Sequence, residues 1–451
     1  MINIESDSRK VKDGDVFIAI KGLTVDGHDY IKEAINNGAS KIIAEHGAYK
    51  IPTLIVPDTK EYLTNHLVQN YRYIFDDLKF IGITGTNGKT TTGFIVHQML
   101  RALRVESAYI GTLGFYVDGE LVRLLPNTTP DVLVTYKLIE EAREQGIKII
   151  VMEVSSQALK ENRVAGINFD VAAFTNLTQD HLDYHPDFAD YLASKRKILE
   201  HLKSKAKMIV NEDDEYHKKF MNKYSLTLGK NNTDYRIDEY QLKSGKTDIS
   251  FIYKDITYHL QTNFTGIFNV YNYLMAIAIV KELGYDLETI IKLSKEIYPP
   301  KGRCQTFNAN NAWVIVDYAH TPDAVSKITE CFKQVKEGRL ITILGCGGNR
   351  DPHKRPIMGH IASQNSDYCL FTNDNPRCED ELQIMKDILS GVTSNNYEVI
   401  YNRREAIEKG IAMLKTKDIL LILGKGHEDY QIIGHDKIHF DDTQVVEDIL
   451  K

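Results

Sequence analysis

Lys89 and Thr90 stand directly after the run Gly85-Thr86-Asn87-Gly88, and residue types in that order suit the holding of a polyphosphate. Glycines let backbone N–H groups curl around an anion, and a helix beginning at this point adds its partial positive charge. Lys89 would reach the β- and γ-phosphates, and the Thr90 hydroxyl suits Mg2+. The spacing is a variant one, because G-x-x-x-x-G-K-T needs glycine at position 83 and this chain has Ile83. The bland alternative is an ordinary glycine turn with a solvated lysine. The flanks argue against it: Phe80, Ile81 and Ile83 read as a buried strand, and GFIVHQMLRAL as a helix packed on one face.

Phosphoryl transfer also needs hard oxygen ligands for a cation, and positive groups where charge develops. Glu153 ends an apolar run, where a carboxylate would emerge at the carboxyl edge of a sheet; the alternative is a solvated strand end. TNLTQDHLDYH (175–185) packs Asp180, His181, Asp183 and His185 together after the next run. That density favours metal or phosphate contact, and residue types leave open which of the four does what. VDYAHTPDAV (316–325) repeats the theme with Asp317, His320 and Asp323, as a site or a capped turn. In GCGGNRDPHKRP (345–356), Arg350, Lys354 and Arg355 beside a glycine turn suit anions. TNDNPRCED (372–380) and GKGHEDYQI (424–432) also follow apolar runs, so four polar loops are expected to line one cleft facing the phosphate loop.

Positioning these residues requires alternating strands and helices. Residues 1–78 read as a small α/β unit. From 79 to 299 the alternation predicts a parallel sheet covered by helices, with ligands at its carboxyl edge. After 225 a period of two predicts antiparallel strands. Pro299-Pro300-Lys301-Gly302 punctuates the chain. Beyond it WVIVDYA, LITILG, DYCLFT, EVIYN and DILLILG are strands of a Rossmann-like domain, without the G-x-G-x-x-G of a dinucleotide site.

At 451 residues the chain is expected to hold several domains. A net charge of −7 gives no footprint for nucleic acid or anionic membrane. No apolar run approaches the ~20 residues that span a bilayer. The polar start MINIESDSRK is unlike a signal peptide. Five cysteines without CxxC spacing argue against disulfides or zinc and for a reducing cytoplasm.

Taken together and in this order, GTNGKTTT, NTTPD, MEVSSQAL, NLTQDHLDYH, VDYAHTPDAV, GCGGNRD, DNPR and GKGHE resemble the Mur ligase family, ATP-dependent amide ligases of peptidoglycan synthesis. The resemblance covers essentially the whole chain. It implies an α/β, three-domain architecture: a UDP-sugar-binding domain (1–78), a central P-loop ATPase domain (79–299) and a Rossmann-like C-terminal domain (300–451). It implies ATP contacts at Gly85, Thr86, Asn87, Gly88, Lys89, Thr90, Thr91, Asn269, Asn272, Arg303, Asp317 and His320. Of these, Asn269 and Asn272 fall where the family meets the ATP base. It implies Mg2+ ligands at Thr90, Glu153 and His181, and a catalytic set of Lys89, Lys195, His181 and Glu153. Lys195, on a helix and by itself an ordinary solvated charge, matches a lysine that similar ligases carry as a carbamate, an anion able to support the metal.

The UDP-sugar-peptide contacts implied are Ser6 and Ser8 in the opening DSR region, with Asn127, Thr128, Thr129, Ser155, Glu161 and Arg163. The acceptor pocket implied is Arg350, Asp374, Asn375, Pro376, Arg377, Gly424 and Glu428. An arginine can pair bidentately with a carboxylate, which meso-diaminopimelate carries at its far end and lysine lacks. Glu428 offers a counter-charge to the distal ammonium. Two features depart from the family: Glu161 stands where glutamine is common, and Leu23-Thr24 differ from the usual uridine-contacting residues.

The implied activity is addition of meso-diaminopimelate to UDP-N-acetylmuramoyl-L-alanyl-D-glutamate through an acyl phosphate. The expected enzyme is a cytoplasmic monomer using ATP and Mg2+, with small-molecule partners (a UDP-muramyl dipeptide and a diamino acid) and neither nucleic acid nor membrane. The alternatives are an L-lysine-adding or folylpolyglutamate synthase-like ligase, a switch or motor ATPase, and a silent binding module. Acceptor preference separates the first, and turnover without an amino acid the second. Intact Lys89, Glu153 and His181 argue against the third.

Overall fold

A computed structural model of the chain describes residues 2–451 apart from Leu23, Thr24, Leu182, Asp183 and Ser244. The expectations placed on Leu23-Thr24 and Asp183 therefore lie outside the described residues. The chain divides into two compact units. One comprises Met1–Thr84, Arg104–Ala172 and Ala193–Ala206; the other comprises Gly85–Leu103, Ala173–Leu192 and Lys207–Lys451.

The first unit opens with a four-stranded parallel sheet, Ile4–Glu5, Val16–Ile18, Lys41–Ala44 and Thr53–Ile55 in spatial order. Phe17, Ile31, Ala34 and Ile42 form its core. Next in the same unit, Lys79–Thr84 pairs in parallel with Ile149–Glu153, which pairs in parallel with Ser107–Gly111. Phe80, Ile81 and Ile83 are buried, as a strand covered on both faces must be. Gly114–Val117 and Glu120–Arg123 extend that sheet antiparallel.

In the second unit Leu226–Gly229 and Tyr235–Lys243 run parallel, and Tyr235–Lys243, Lys246–Tyr253 and Ile256–Thr262 form the expected antiparallel meander. The helix Ile267–Glu282 is buried almost all round, which its run of apolar residues allows. The C-terminal part is a six-stranded sheet ordered Gln305–Ala309, Ala312–Asp317, Ile419–Leu423, Leu340–Leu344, Tyr368–Phe371, Tyr397–Val399. All but the first strand are parallel. Alternate residues feed two cores: Ile315, Leu421 and Phe371 on one face, Val314, Ile422 and Leu370 on the other. That is a doubly wound sheet, whose ligand edge is the carboxyl end of its strands.

Two hairpins of the C-terminal part were not anticipated. Gln305–Ala309 returns into Ala312–Asp317 through Asn310 and Asn311, both with positive φ (52° and 65°). This is the backbone of a type I′ turn, and the Asn-Asn pair was its sequence signal. Tyr430–Ile433 and Asp436–His439 form the second, closed by Gly434.

Candidate active site

The phosphate loop begins the second unit. A side chain at Gly85 would place its Cβ 1.9 Å from Thr175 Oγ1, and at Gly88, with φ of 87°, 2.4 Å from Asn272 Oδ1. Both positions, with φ of 143° and 87°, favour glycine. The segment after Phe169–Phe174 clamps the turn. Thr86 N–H donates to Asn176 O (2.8 Å), and Asn87 N–H to Asn176 Oδ1 (3.0 Å). Thr175 Oγ1 and Asn176 Nδ2 donate to Asn87 O. The helix Lys89–Ala102 starts at Gly88 without a side-chain cap, and Thr90 and Thr91 are buried in its first turn. Lys89 Nζ donates to the Gly85 and Thr86 carbonyls, both at 2.9 Å, so the ammonium is folded over the loop.

The Asp-His segment separates into distinct roles. His185 is buried, with Nδ1 2.6 Å from Asp190 Oδ2, a structural pair. Asp180 and His181 belong together: His181 N–H donates to Asp180 Oδ1 at 2.8 Å. Burial pushes the Asp180 carboxyl up, but His181, His320 and Lys89 outweigh it and hold the group below the usual range. The field that does this comes from three separate segments, so Asp180 could not have been singled out in the sequence.

The C-terminal sheet supplies the groups facing that loop within the same unit. Asp323 Oδ2 accepts from Asn87 Nδ2 (3.0 Å), and Arg303 Nη2 lies 3.4 Å from Thr90 Oγ1. Asp317 accepts N–H bonds from Cys304 and Ala319, both 2.8 Å, while burial raises its carboxyl against the opposing Arg303 charge. His320 Nδ1 lies 2.9 Å from Tyr318 O, which makes Nδ1 the donor. Burial, with help from Lys354, pushes its imidazole down to about 4, so it is neutral at pH 7. Arg303 packs over the Tyr318 ring, and its buried Nε has no hydrogen-bond partner among the described residues. Asn272 Nδ2 donates to Asn269 Oδ1 at 3.1 Å, and both amides lie buried beside the Gly88 turn.

The four C-terminal loops converge as expected at one sheet edge. Asn375 Nδ2 donates to Glu428 Oε2 at 2.8 Å, and Gly424 packs against Asp374. Arg377, with φ of 53°, donates from Nη1 to Gly348 O at 2.9 Å. A second bond from Nη1 runs to the Asn375 carbonyl at 3.4 Å, and Arg350 is exposed. Pro376 O would lie 1.9 Å from a Cβ at Gly348, which ties the two loops closely. One expectation needs correction. Arg355 is no anion site, because it is fully buried and donates to both oxygens of Glu379 (2.6 and 2.7 Å) and to Asp387 (2.8 Å).

The remaining predicted residues lie in the first unit. Glu153 is fully buried; its Oε1 accepts from Tyr109 OH and from Thr112 N–H (2.8 Å), and its Oε2 from Thr112 Oγ1 (3.2 Å). Thr129 Oγ1 donates to Glu153 O at 2.8 Å and accepts from Ser155 N–H at 3.0 Å. Thr128 Oγ1 is 3.1 Å from Thr112 Oγ1, and Asn127 is exposed. Glu161, the departure from the family, accepts on Oε2 from both Nε and Nη2 of Arg163 (3.0 and 2.9 Å), and the same oxygen lies 3.6 Å from Lys60 Nζ. Its extra charge is thereby offset within the unit. Ser8 is buried and donates to Glu33 Oε2 at 2.6 Å; Ser6 is exposed. Lys195 is only 1% exposed, which corrects the reading of an ordinary solvated charge. A cavity of about 650 Å3 beside the antiparallel strands, lined by Glu239, Asp248 and His259 among others, holds none of the predicted residues.

A glycine turn opening a helix and a doubly wound domain presenting charged loops define a nucleotide-dependent enzyme of the α/β class. The chain matches the Mur ligase middle domain over residues 83–280, the Mur ligase glutamate ligase domain over 302–426 and the Mur ligase catalytic domain over 2–74. It is 40% identical to the UDP-N-acetylmuramoyl-L-alanyl-D-glutamate--2,6-diaminopimelate ligase of Clostridium botulinum, over 99% of this chain and 95% of that protein. With the ligase of the same name from Aquifex aeolicus the identity is 40%, over 99% and 93%. A solved structure of a ligase of that name superposes with a TM-score of 0.69 at 29% identity, over 100% of this chain and 94% of that one. The chain belongs to the Mur ligase family, and it is an ATP-dependent ligase that forms amide bonds.

Proposed function

We propose that the chain joins meso-diaminopimelate to the D-glutamate carboxylate of UDP-N-acetylmuramoyl-L-alanyl-D-glutamate, using ATP, in peptidoglycan synthesis. One observation carries this reading: Asn375 links Arg377 and Glu428, its carbonyl 3.4 Å from Arg377 Nη1 and its amide on Glu428. An anion-binding fork and a carboxylate on adjoining loops match the distal carboxylate and ammonium of that acceptor. Lysine would satisfy Glu428 and leave Arg377 unmatched. The activity named for relatives at about 40% identity supports the same acceptor.

In this reading ATP lies along Gly85–Thr91, and Lys89 moves from the loop carbonyls to the β- and γ-oxygens. Arg303, Asp317, His320, Asn269 and Asn272 complete the nucleotide site. Neutral His320, its Nδ1–H held by Tyr318 O, offers Nε2 as an acceptor without adding charge. A γ-carboxylate oxygen of D-glutamate bonds to the γ-phosphorus as ADP leaves. The acceptor amine then bonds to the acyl carbon, phosphate leaves, and the amine loses a proton. Lys89 and Arg303 meet the charge that develops on the transferred group. Asp374, Asn375, Pro376, Arg377, Gly424, Glu428 and Arg350 hold the acceptor.

Ser6, Ser8, Asn127, Thr128, Thr129, Ser155, Glu161 and Arg163 hold the nucleotide-sugar peptide. Thr90, Glu153 and His181, with Lys195 as a carbamate, would hold Mg2+, which supplies charge neutralisation to the phosphates when bound. The donor chemistry fits, because hydroxyl and carboxylate oxygens suit a hard cation. The domains are 1–78, 79–299 and 300–451, and the enzyme is a cytoplasmic monomer. All five cysteines are free, in keeping with a reducing compartment, and no described helix is long and apolar enough to cross a membrane.

The test is phosphate release with the UDP-muramyl dipeptide and a panel of acceptors. Release with diaminopimelate and little with lysine is expected; equal use of both would overturn the acceptor assignment, and release without any amine would make the chain an ATPase.

A further inference from the structure

Beneath the acceptor loops lies a lysine that the reading above does not use. Lys425 is 0% exposed, in a turn whose flanking glycines both have positive φ (Gly424 112°, Gly426 51°). A Cβ at Gly426 would meet Tyr318 Cβ at 2.6 Å, so the turn is pressed against its neighbours and sends the lysine inward. There Nζ donates to Asn375 Oδ1 (3.2 Å), Glu428 Oε2 (3.1 Å) and Tyr430 O (2.5 Å). An ammonium has three N–H groups, and these three acceptors use them all.

We propose that Lys425 is a positioning residue for the amine acceptor: its buried ammonium locks Glu428 and Asn375 into one rigid face, so that Glu428 presents a single oriented charge to the acceptor's distal ammonium. The inference rests on the ligase reading and adds a residue to it. Glu428 Oε2 is held twice, by Lys425 and by Asn375 Nδ2, while Oε1 has no partner among the described residues. Asn375 is held in turn by Lys425 and by Ile432 N–H at 3.0 Å. One ammonium thus fixes both the loop that carries Arg377 and the turn that carries Glu428.

Charge as well as orientation is at stake. Burial pushes the Glu428 carboxyl up, Asp374 pushes it further, and Lys425 with the Asn375 amide opposes them. Tyr318, Tyr430 and Arg403 also face it, the first two as neutral phenols with raised pKa values and the third as a fixed cation. Of the groups that bond to Glu428, only Lys425 brings a positive charge. Without it a buried carboxyl beside Asp374 takes up a proton at higher pH.

The experiment uses the full chain with ATP, the UDP-muramyl dipeptide and diaminopimelate, comparing Lys425→Met, Glu428→Gln and the double variant. Lys425→Met is expected to raise the KM for diaminopimelate about tenfold or more, as loss of a charged hydrogen bond would, with the KM values for ATP and dipeptide held within about twofold. The acid limb of kcat/KM for diaminopimelate should move to higher pH. In the Glu428→Gln background the same change should add little, because the charge it orients is gone. The double variant also avoids an unpaired buried charge, so it reports even if Lys425→Met folds poorly. An unchanged diaminopimelate KM, a parallel rise for all three substrates, or full additivity of the two substitutions would each overturn the proposal. Failure of the unaltered chain to use diaminopimelate would instead sink the ligase reading itself.

Discussion

The phosphate loop and the acceptor loops are built by opposite strategies. The first is one continuous stretch, Lys79–Thr84 leading through two glycines into Lys89–Ala102, and its bonds run largely to one neighbouring segment, 175–178. The second is assembled from the ends of four strands far apart in sequence, and buried charges hold it. Arg403 and Asp442 form a bidentate pair (2.8 and 2.7 Å) with both side chains 0% exposed. Arg403 also donates to Leu423 O at 3.0 Å and lies 3.4 Å from Asn373 O, the residues just before the Gly424 turn and the Asp374 loop. Local geometry suffices where the ligand is a polyphosphate, which backbone N–H groups and one lysine can bind. A zwitterionic acceptor needs opposite charges held at fixed separation, and only tertiary links supply that.

If this contrast is right, the largest effect should come from the local site. Lys89→Ala should lower turnover about 10^4-fold, the order expected for removing a cation from a transferring phosphoryl group, while leaving the unfolding midpoint nearly unchanged. Steady-state phosphate release and a denaturant curve on the same sample check both halves. Asp442→Ala should do the reverse to the scaffold, costing about 3–5 kcal/mol in denaturant unfolding because it leaves Arg403 buried and unpaired. A loss of under 1 kcal/mol would mean that the acceptor loops do not depend on that link.

Arg377→Lys should lower kcat/KM for diaminopimelate about a hundredfold through loss of the bidentate fork, with the KM for ATP within about twofold. Equal losses on both substrates would erase the division between the two regions. Acid should weaken the fold through His320. Its unfolded form takes up a proton below about 6.5 and its folded form only near 4. The unfolded chain then binds more protons in that window, and stability falls as pH drops through it. His320→Gln should flatten thermal stability against pH there. The smallest effect belongs to the loop clamp: Asn176→Ala should cost about 1–2 kcal/mol through lost hydrogen bonds, with a modest rise in KM for ATP.

The same contrast explains what could be read early. The strand, glycine turn and helix of the phosphate loop were legible because period, turn residues and helix start are all local signals. The five C-terminal strands were legible as short apolar runs. The Gln305–Ala309 hairpin was passed over although Asn310-Asn311 announced it. Arg355 read as an anion site because nothing near it in sequence names Glu379 and Asp387 as its partners.

By itself the sequence determined the order of elements, the phosphate-binding turn and the motif set that placed the chain in its family, since each depends on neighbours a few residues apart. Only the tertiary structure decided that Lys195 is buried, that Glu161 is neutralised by Arg163, that Asp180 feels Lys89 and His320, and that Lys425 carries the acceptor face. Burial and charge pairing are properties of the space around a side chain, and segments from distant parts of the chain fill that space.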